Sequence, residues 1–396
     1  MNNIDPGDAS VDVLALLQEQ LEARSKPTVV IESTVLLIIN VASLVGNAML
    51  CCIVYRNHRL HTPTTMLIFA LAFTDLLTSV TVMPLTVDAA IYSKRRFSNA
   101  VCKAHAFAMA VLAQVSIFIM ALTAFNRYVC VKKQNLYRKI FTKKKTLLLI
   151  SAIWAISLIT NGIPNILSLD DFFFCPGYLL CWRRMMAPAA IVSFNAWLYG
   201  SFVLSYAVIV VCYWKVFRTV KRHNAAVAPN LSQTSRAGNY SEEASVARSV
   251  AAIIFAFTIC WIPSEVMDTM DKINPLLLPR QVSRQAFLHY PKDSNFPFNL
   301  NQFTSQAVKA NMKFLSSFQV FIFATCLWYL SSAINPVIYG VMNNNFRKEY
   351  KKLFAAIARV SSVGPSTDNT PANGHSSTNE SKQNVKENVL GLLEPL

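Results

Sequence analysis

Residues 102–130 open on a lone cysteine, run almost wholly apolar over 104–125, and close on Asn126-Arg127-Tyr128 and a second cysteine. Roughly 20 residues at 1.5 Å rise span the hydrocarbon core of a bilayer, so this stretch predicts a membrane-crossing helix with some tilt. Its two ends make different demands. Cys102 asks for a partner on one side of the membrane, and Arg127 sits at the polar interface on the other.

Composition points the same way. The 396 residues are 53% hydrophobic and only 15% charged, and the mean hydropathy is positive. That leaves too little polar surface for an ordinary soluble protein of this size. The net charge of +16 would suit nucleic acid, but the basic residues cluster between apolar runs and form no continuous face, so nucleic acid is excluded as a partner. The nine cysteines show no CxxC or Cys/His array at metal spacing. Cys51, Cys52, Cys130, Cys212, Cys260 and Cys326 lie in or beside apolar runs and read as small buried hydrophobes.

Residues 1–28 are polar and acidic (Asp5, Asp8, Asp12, Glu19, Glu22) and lack the pattern of a removable signal peptide. Seven apolar runs follow, at about 29–55, 64–92, 102–130, 147–169, 187–214, 246–270 and 314–340. The expected fold is an all-α membrane protein: an extracellular segment (1–28), a seven-transmembrane helix bundle (29–340), a short amphipathic helix on the membrane surface (341–357) and a disordered cytoplasmic tail (358–396). Of the 37 basic residues, 20 fall in the segments that would face the cytoplasm, with three more in the tail, against 14 outside. The positive-inside rule then places the amino terminus outside and the carboxyl terminus in the cytoplasm. The sequons at Asn230, Asn239 and Asn379 fall on the inner side and read as chance matches.

Asp75 is a carboxylate in mid-membrane, which is costly unless paired, hydrated or ion-bound. Pro263 and Pro336 each remove an intrahelical hydrogen bond and permit a kink. Over 344–354, Phe346, Tyr350, Leu353 and Phe354 fall on one face and Arg347, Lys348, Lys351 and Lys352 on another, as suits a helix lying on anionic lipid. The loop 221–245 and the Ser/Thr-rich tail read as unstructured.

Each run also carries a marker: Gly46-Asn47; Leu71-Ala72-Phe73-Thr74-Asp75; Cys102 with Arg127-Tyr128; Trp154 with Pro164; Tyr213; Phe257 with Cys260-Trp261-Ile262-Pro263; and Asn335-Pro336-Val337-Ile338-Tyr339. Asn345-Phe346-Arg347 follows. Together, over about residues 29–355, these resemble a rhodopsin-family (class A) G-protein-coupled receptor.

That resemblance implies a receptor at the plasma membrane that binds an extracellular small molecule or peptide and activates a heterotrimeric G protein as the sixth helix moves outward. It implies no catalytic residues and no cofactor. The one metal it suggests is a sodium ion in a pocket of Asn47, Asp75, Ser116, Ser332 and Asn335. Arg127, Tyr213, Glu243, Phe257, Ile117, Pro263, Pro336 and Tyr339 would form the activation switch. Asn126 stands where most members carry Asp or Glu, and Glu243 falls where the family places the inner acid that pairs with the arginine. Receptor kinases and arrestin would act on the tail, and membrane lipids would bind the amphipathic helix. Cys102 would pair with a loop cysteine, either Cys175 or Cys181; family spacing from the fifth span favours Cys181. Ser205 replaces the usual fifth-span proline.

Counting along the helices from the markers gives an expected ligand pocket of His105, Met109, Gln114, Trp261, Glu265, Asp268, Phe321, Thr325 and Tyr329. Met109 stands where amine receptors carry aspartate, and Tyr329 where opsins carry the retinal lysine, so neither ligand class is expected. Met109, Asn126-Arg127-Tyr128 and the Phe257–Pro263 pattern are similar to melatonin receptors, whereas Asn335-Pro336 and Ser201 depart from them. The long outer loop 271–313 keeps a peptide ligand open. A seven-span transporter or channel is the competing class, and it would call for more intramembrane ionisable groups or inverted repeats than are present.

Overall fold

A computed structural model describes residues 17–186, 188–227, 251–252, 254–264, 266 and 318–362. Capping residues set where the helices start. Ser25 accepts from the Thr28 amide to open α1 (Lys26–Arg56), Thr62 accepts from the Thr65 amide to open α2 (Pro63–Thr81), and each has a proline in its first turn, where no helical amide partner is lost. The second span breaks at Val82 and resumes as α3 (Met83–Tyr92), because Pro84 cannot donate to the preceding turn. A left-handed Ser93 ends it.

Ser98 opens α4 (Asn99–Lys132), the long third span, and the short α5 (Gln134–Ile140) follows it. Thr142 caps α6 (Lys143–Ile166), the fourth span. A two-stranded antiparallel hairpin comes next, β1 (Asp170–Cys175) and β2 (Leu180–Met185), then α7 (Pro188–Val227), α8 (Ile254–Ser264) and α9 (Phe318–Met342). Ser205 lies inside α7, its hydroxyl donating back to the Ser201 carbonyl at 2.7 Å, and the helix continues through it.

Among the described residues, six helices are long and apolar enough to cross a bilayer, and the shorter Ile254–Ser264 falls within the sixth apolar run. The first span begins at Lys26, a little before 29. Helix α4 is the hub, packed against α2, α6, α7 and both hairpin strands, while α1 packs on α2, α3 and α9. Leucine, valine and isoleucine stay exposed along α1, α6 and α7, as expected of faces turned to lipid.

The hairpin folds inward. Its tip buries Tyr178, Leu179 and Leu180 in the same apolar cluster as Met109, Phe321 and Tyr329, joined by Leu17 and Leu21 from the amino-terminal segment. Gly177 permits this: a Cβ there would stand 3.0 Å from the Phe321 ring.

The last helix, α10 (Asn344–Ser362), is amphipathic and exposes Arg347, Lys348, Lys351 and Lys352; it runs to Ser362, past the 357 expected from sequence.

Candidate functional site

A buried polar centre on the second, third and seventh spans opens into a cavity. Asn335 donates to Asp75 Oδ2 at 2.7 Å, and the Ser332 hydroxyl is directed at the same carboxylate. Asp75, Ser116, Ser332 and Asn335 line the cavity, whose wall continues through Met109, Phe257, Trp261, Trp328 and Tyr329. Asn47 does not line it. Its amide instead donates to the Ser332 carbonyl at 3.1 Å and to that of Ser43 at 2.9 Å, tying α1 to α9. Three oxygen-bearing side chains around one buried carboxylate suit a hard cation or a water cluster.

Aromatic rings form the wall towards α8. Phe257 stacks on Trp261 at 4.8 Å, Trp261 meets Trp328 edge-on at 5.4 Å, and the Trp261 indole donates to Ser331 Oγ at 3.4 Å. Ile117 and Phe257 share one buried cluster. Tyr329 and Thr86 join hydroxyls at 2.6 Å.

Of the ligand-pocket residues expected from sequence, Met109, Trp261 and Tyr329 line this cavity. Others are turned to structural work. His105 Nδ1 accepts from the Cys181 amide at 3.3 Å and its Nε2 lies 3.2 Å from the Val82 carbonyl, so the ring is a strut between the hairpin and the break in the second span. Gln114 Oε1 accepts from Asn161 at 2.6 Å and Thr160 at 3.2 Å. Thr325 donates to the Tyr178 carbonyl at 3.3 Å, and Phe321 packs edge-on against the Tyr178 ring at 4.7 Å. Glu265 and Asp268 lie outside the described residues.

The disulfide joins Cys102 to Cys181, with Cys175 buried one strand away. Two residues after Cys181, Arg183 is buried with its Nε 3.3 Å from Asp170 Oδ2. Burial pushes the Asp170 carboxyl above the ordinary carboxylate range against the pull of Arg183, and burial likewise lowers Arg183. Sequence reasoning missed Arg183. It shares strand parity with the bridged cysteine, which only the pairing of the hairpin reveals.

At the opposite end of α4, Arg127 donates to Asn126 Oδ1 from Nη2 at 2.8 Å and from Nε at 3.1 Å, and also to Thr64. Thr64 in turn donates to Asn126 Oδ1 at 3.0 Å. A neutral amide therefore holds the arginine where an acid would ordinarily stand. Tyr213 and Tyr339 are within electrostatic reach of Arg127, and the buried Tyr213 hydroxyl has no hydrogen-bond partner among the described residues. Glu243 lies outside them.

Residues 46–339 match the family model described as 7 transmembrane receptor (rhodopsin family). The chain belongs to the rhodopsin family of seven-transmembrane receptors. The receptor is 25% identical to the Mus musculus melatonin receptor type 1B over 82% of its own length and 78% of that protein's. It is 24% identical to the Danio rerio melatonin receptor type 1B-B over 85% and 84%. With the Homo sapiens neuropeptide FF receptor 1 it shares 25% identity over 79% and 67%. It is thus a multi-pass membrane receptor that binds a ligand and couples to a G protein, in a family of receptors rather than enzymes, and a transporter or channel is not favoured.

Proposed function

We propose that a ligand entering from outside the plasma membrane settles against Met109, Trp261, Trp328 and Tyr329, and that its contacts bias the Phe257–Trp261 stack towards a second packing. The sixth helix then swings outward about Pro263, Arg127 leaves Asn126 and Thr64 for the Tyr213 hydroxyl, and the G protein docks in the opened inner face. The observation that carries this is the continuous cavity from Met109 and Trp261 to Asp75 and Asn335. A ligand shifts such an equilibrium only by its differential affinity for the two packings.

Asp75, Ser116, Ser332 and Asn335 would hold a sodium ion or a water cluster in the resting packing. The ion supplies charge neutralisation, and the receptor's own residues supply the oxygens around it. Glu243 is the inner acid that pairs with Arg127 at rest. The basic face of α10 lies on anionic lipid, and phosphorylated serines and threonines of the tail recruit arrestin.

The relatives' names suggest melatonin or neuropeptide FF as the first ligands to try. Nucleotide exchange by a G protein in receptor-containing membranes, with each of these added, tests the reading. Trp261→Ala is expected to blunt the response to an active ligand at least tenfold, and Glu265→Gln asks whether a positive charge is recognised. A full response in Trp261→Ala would place the ligand elsewhere.

A further inference from the structure

Away from the cavity lining, a second set of buried groups bears on what the ligand must carry. In the hairpin Phe172 faces Arg183 and Asp170 faces Met185. Alternation along β2 puts Cys181, Arg183 and Met185 on one face, and all three are buried. Arg183 donates from Nη2 to the Asn161 carbonyl at 3.0 Å. Its Nη1 has no partner among the described residues, and its Nε approaches Asp170 Oδ2 without forming a hydrogen bond. The rings of Phe172 and Phe194 flank the guanidinium at 5.7 and 5.3 Å.

The unmet capacity continues inward through Asn161. Asn161 spends its amide on Gln114 Oε1 and on the Ser157 carbonyl, leaving its own Oδ1 without a partner. Gln114 Nε2 and the Ser157 hydroxyl are also unpartnered. Gln114, Ser157 and Asn161 are each more than nine-tenths buried. A buried guanidinium is tolerated when its donors are matched, and here matching is incomplete in a group flanked by two aromatic rings.

Charge decides what would complete it. Lys103 and Arg183 both act on Asp170, so this corner holds two cations against one buried carboxylate, whose burial already favours the neutral form. The neighbouring Arg184 is matched separately by Asp171 at 3.1 Å. An acceptor oxygen carrying negative charge, on an aromatic body, answers the free donor, the excess positive charge and the flanking rings together.

We propose that Arg183, with Asn161 and Gln114 behind it, is an anchoring subsite for the carboxylate of an aromatic acid ligand. This rests on the ligand-binding receptor reading and names the chemistry of its ligand. The acid is held by ionic hydrogen bonds from Arg183, its ring packs against the edge of Phe172 or Phe194, and Asp170 competes with it for the guanidinium.

The test measures thermal unfolding of the purified full-length receptor with three probes that share one ring: 2-naphthylacetate, 2-naphthylacetamide and 2-naphthylmethylamine. The acid is expected to raise the unfolding temperature at concentrations at least tenfold lower than the amide or the amine. Arg183→Gln should abolish the acid's effect, and Arg183→Lys should retain part of it. Asp170→Asn should make the acid more potent, an outcome that a merely structural Asp170–Arg183 pair would not give and that is readable even if Arg183→Gln does not fold. Equal potency of amide and acid, an acid response that survives Arg183→Gln, no shift with any probe, or a weaker acid response in Asp170→Asn each overturns the proposal. Nucleotide exchange is measured in parallel: an Arg183-dependent shift without any effect on exchange keeps the subsite and counts against the signalling role.

Discussion

The Asn47 side-chain amide donates at 3.1 Å to the carbonyl of Ser332, the carbonyl that Pro336, four residues on, leaves without its helical partner. One buried bond thus supplies the donor that Pro336 lacks and fastens the seventh span to the first. Asn47→Ala leaves that carbonyl unmatched, and an unmatched buried polar group costs about 1–3 kcal/mol. Thermal unfolding of the purified receptor is expected to drop by several degrees; an unchanged transition would mean that water or another donor takes the carbonyl.

Gly46, beside Asn47, is where the two helices touch. A Cβ at this position would lie 3.0 Å from Pro336 Cβ and Cγ, and neither a proline ring nor a helix backbone yields cheaply. Gly46→Ala is expected to lose about 1–3 kcal/mol through overpacking. Gly200→Ala is the control, since a Cβ there meets nothing within 4 Å. Equal unfolding temperatures for the two variants would contradict the close packing of α1 on α9.

Asn126 replaces an acid yet still accepts twice from Arg127. A charged acceptor holds a guanidinium more tightly than a neutral one. Asn126→Asp should therefore lower ligand-independent nucleotide exchange and Asn126→Ala should raise it, each by several-fold. Movement of both variants in the same direction would show that the clasp does not restrain the resting state.

Asp170 has its carboxyl raised by burial, with Arg183 and Lys103 pulling it down and Asp171 adding a little to the rise. A carboxyl raised in the fold favours folding while protonated, so its contribution is present below its unfolded pKa and fades as pH climbs through the folded one. The unfolding temperature of the receptor relative to Asp170→Asn should accordingly fall as pH rises from below the ordinary carboxylate range to above it. A difference that grows in the receptor's favour over that interval would mean that Arg183 dominates.

The spans were legible because a bilayer demands long apolar runs and little else produces them. The choice of Cys181 followed from the resemblance, and the disulfide forms there. What stayed hidden depended on contacts between distant segments. No periodicity announces that residues 170–185 pair as a hairpin, so neither the inward parity of Arg183 nor the burial of Tyr178 was visible. His105 and Gln114 are both buried, but the hairpin engages the His105 ring and the fourth span takes the Gln114 Oε1. Counting gives a face of a helix, and only packing says what fills it.

We propose that Arg127, clasped at the end of α4 opposite Cys102, is the element through which the cavity governs the G protein. The direct measurement is nucleotide exchange by a purified heterotrimeric G protein mixed with receptor in lipid nanodiscs, comparing the unaltered chain with a folded Arg127→Ala variant. Exchange is expected to rise above the protein-free rate with the unaltered receptor and to fall at least tenfold with Arg127→Ala. Equal exchange from both receptors would contradict it.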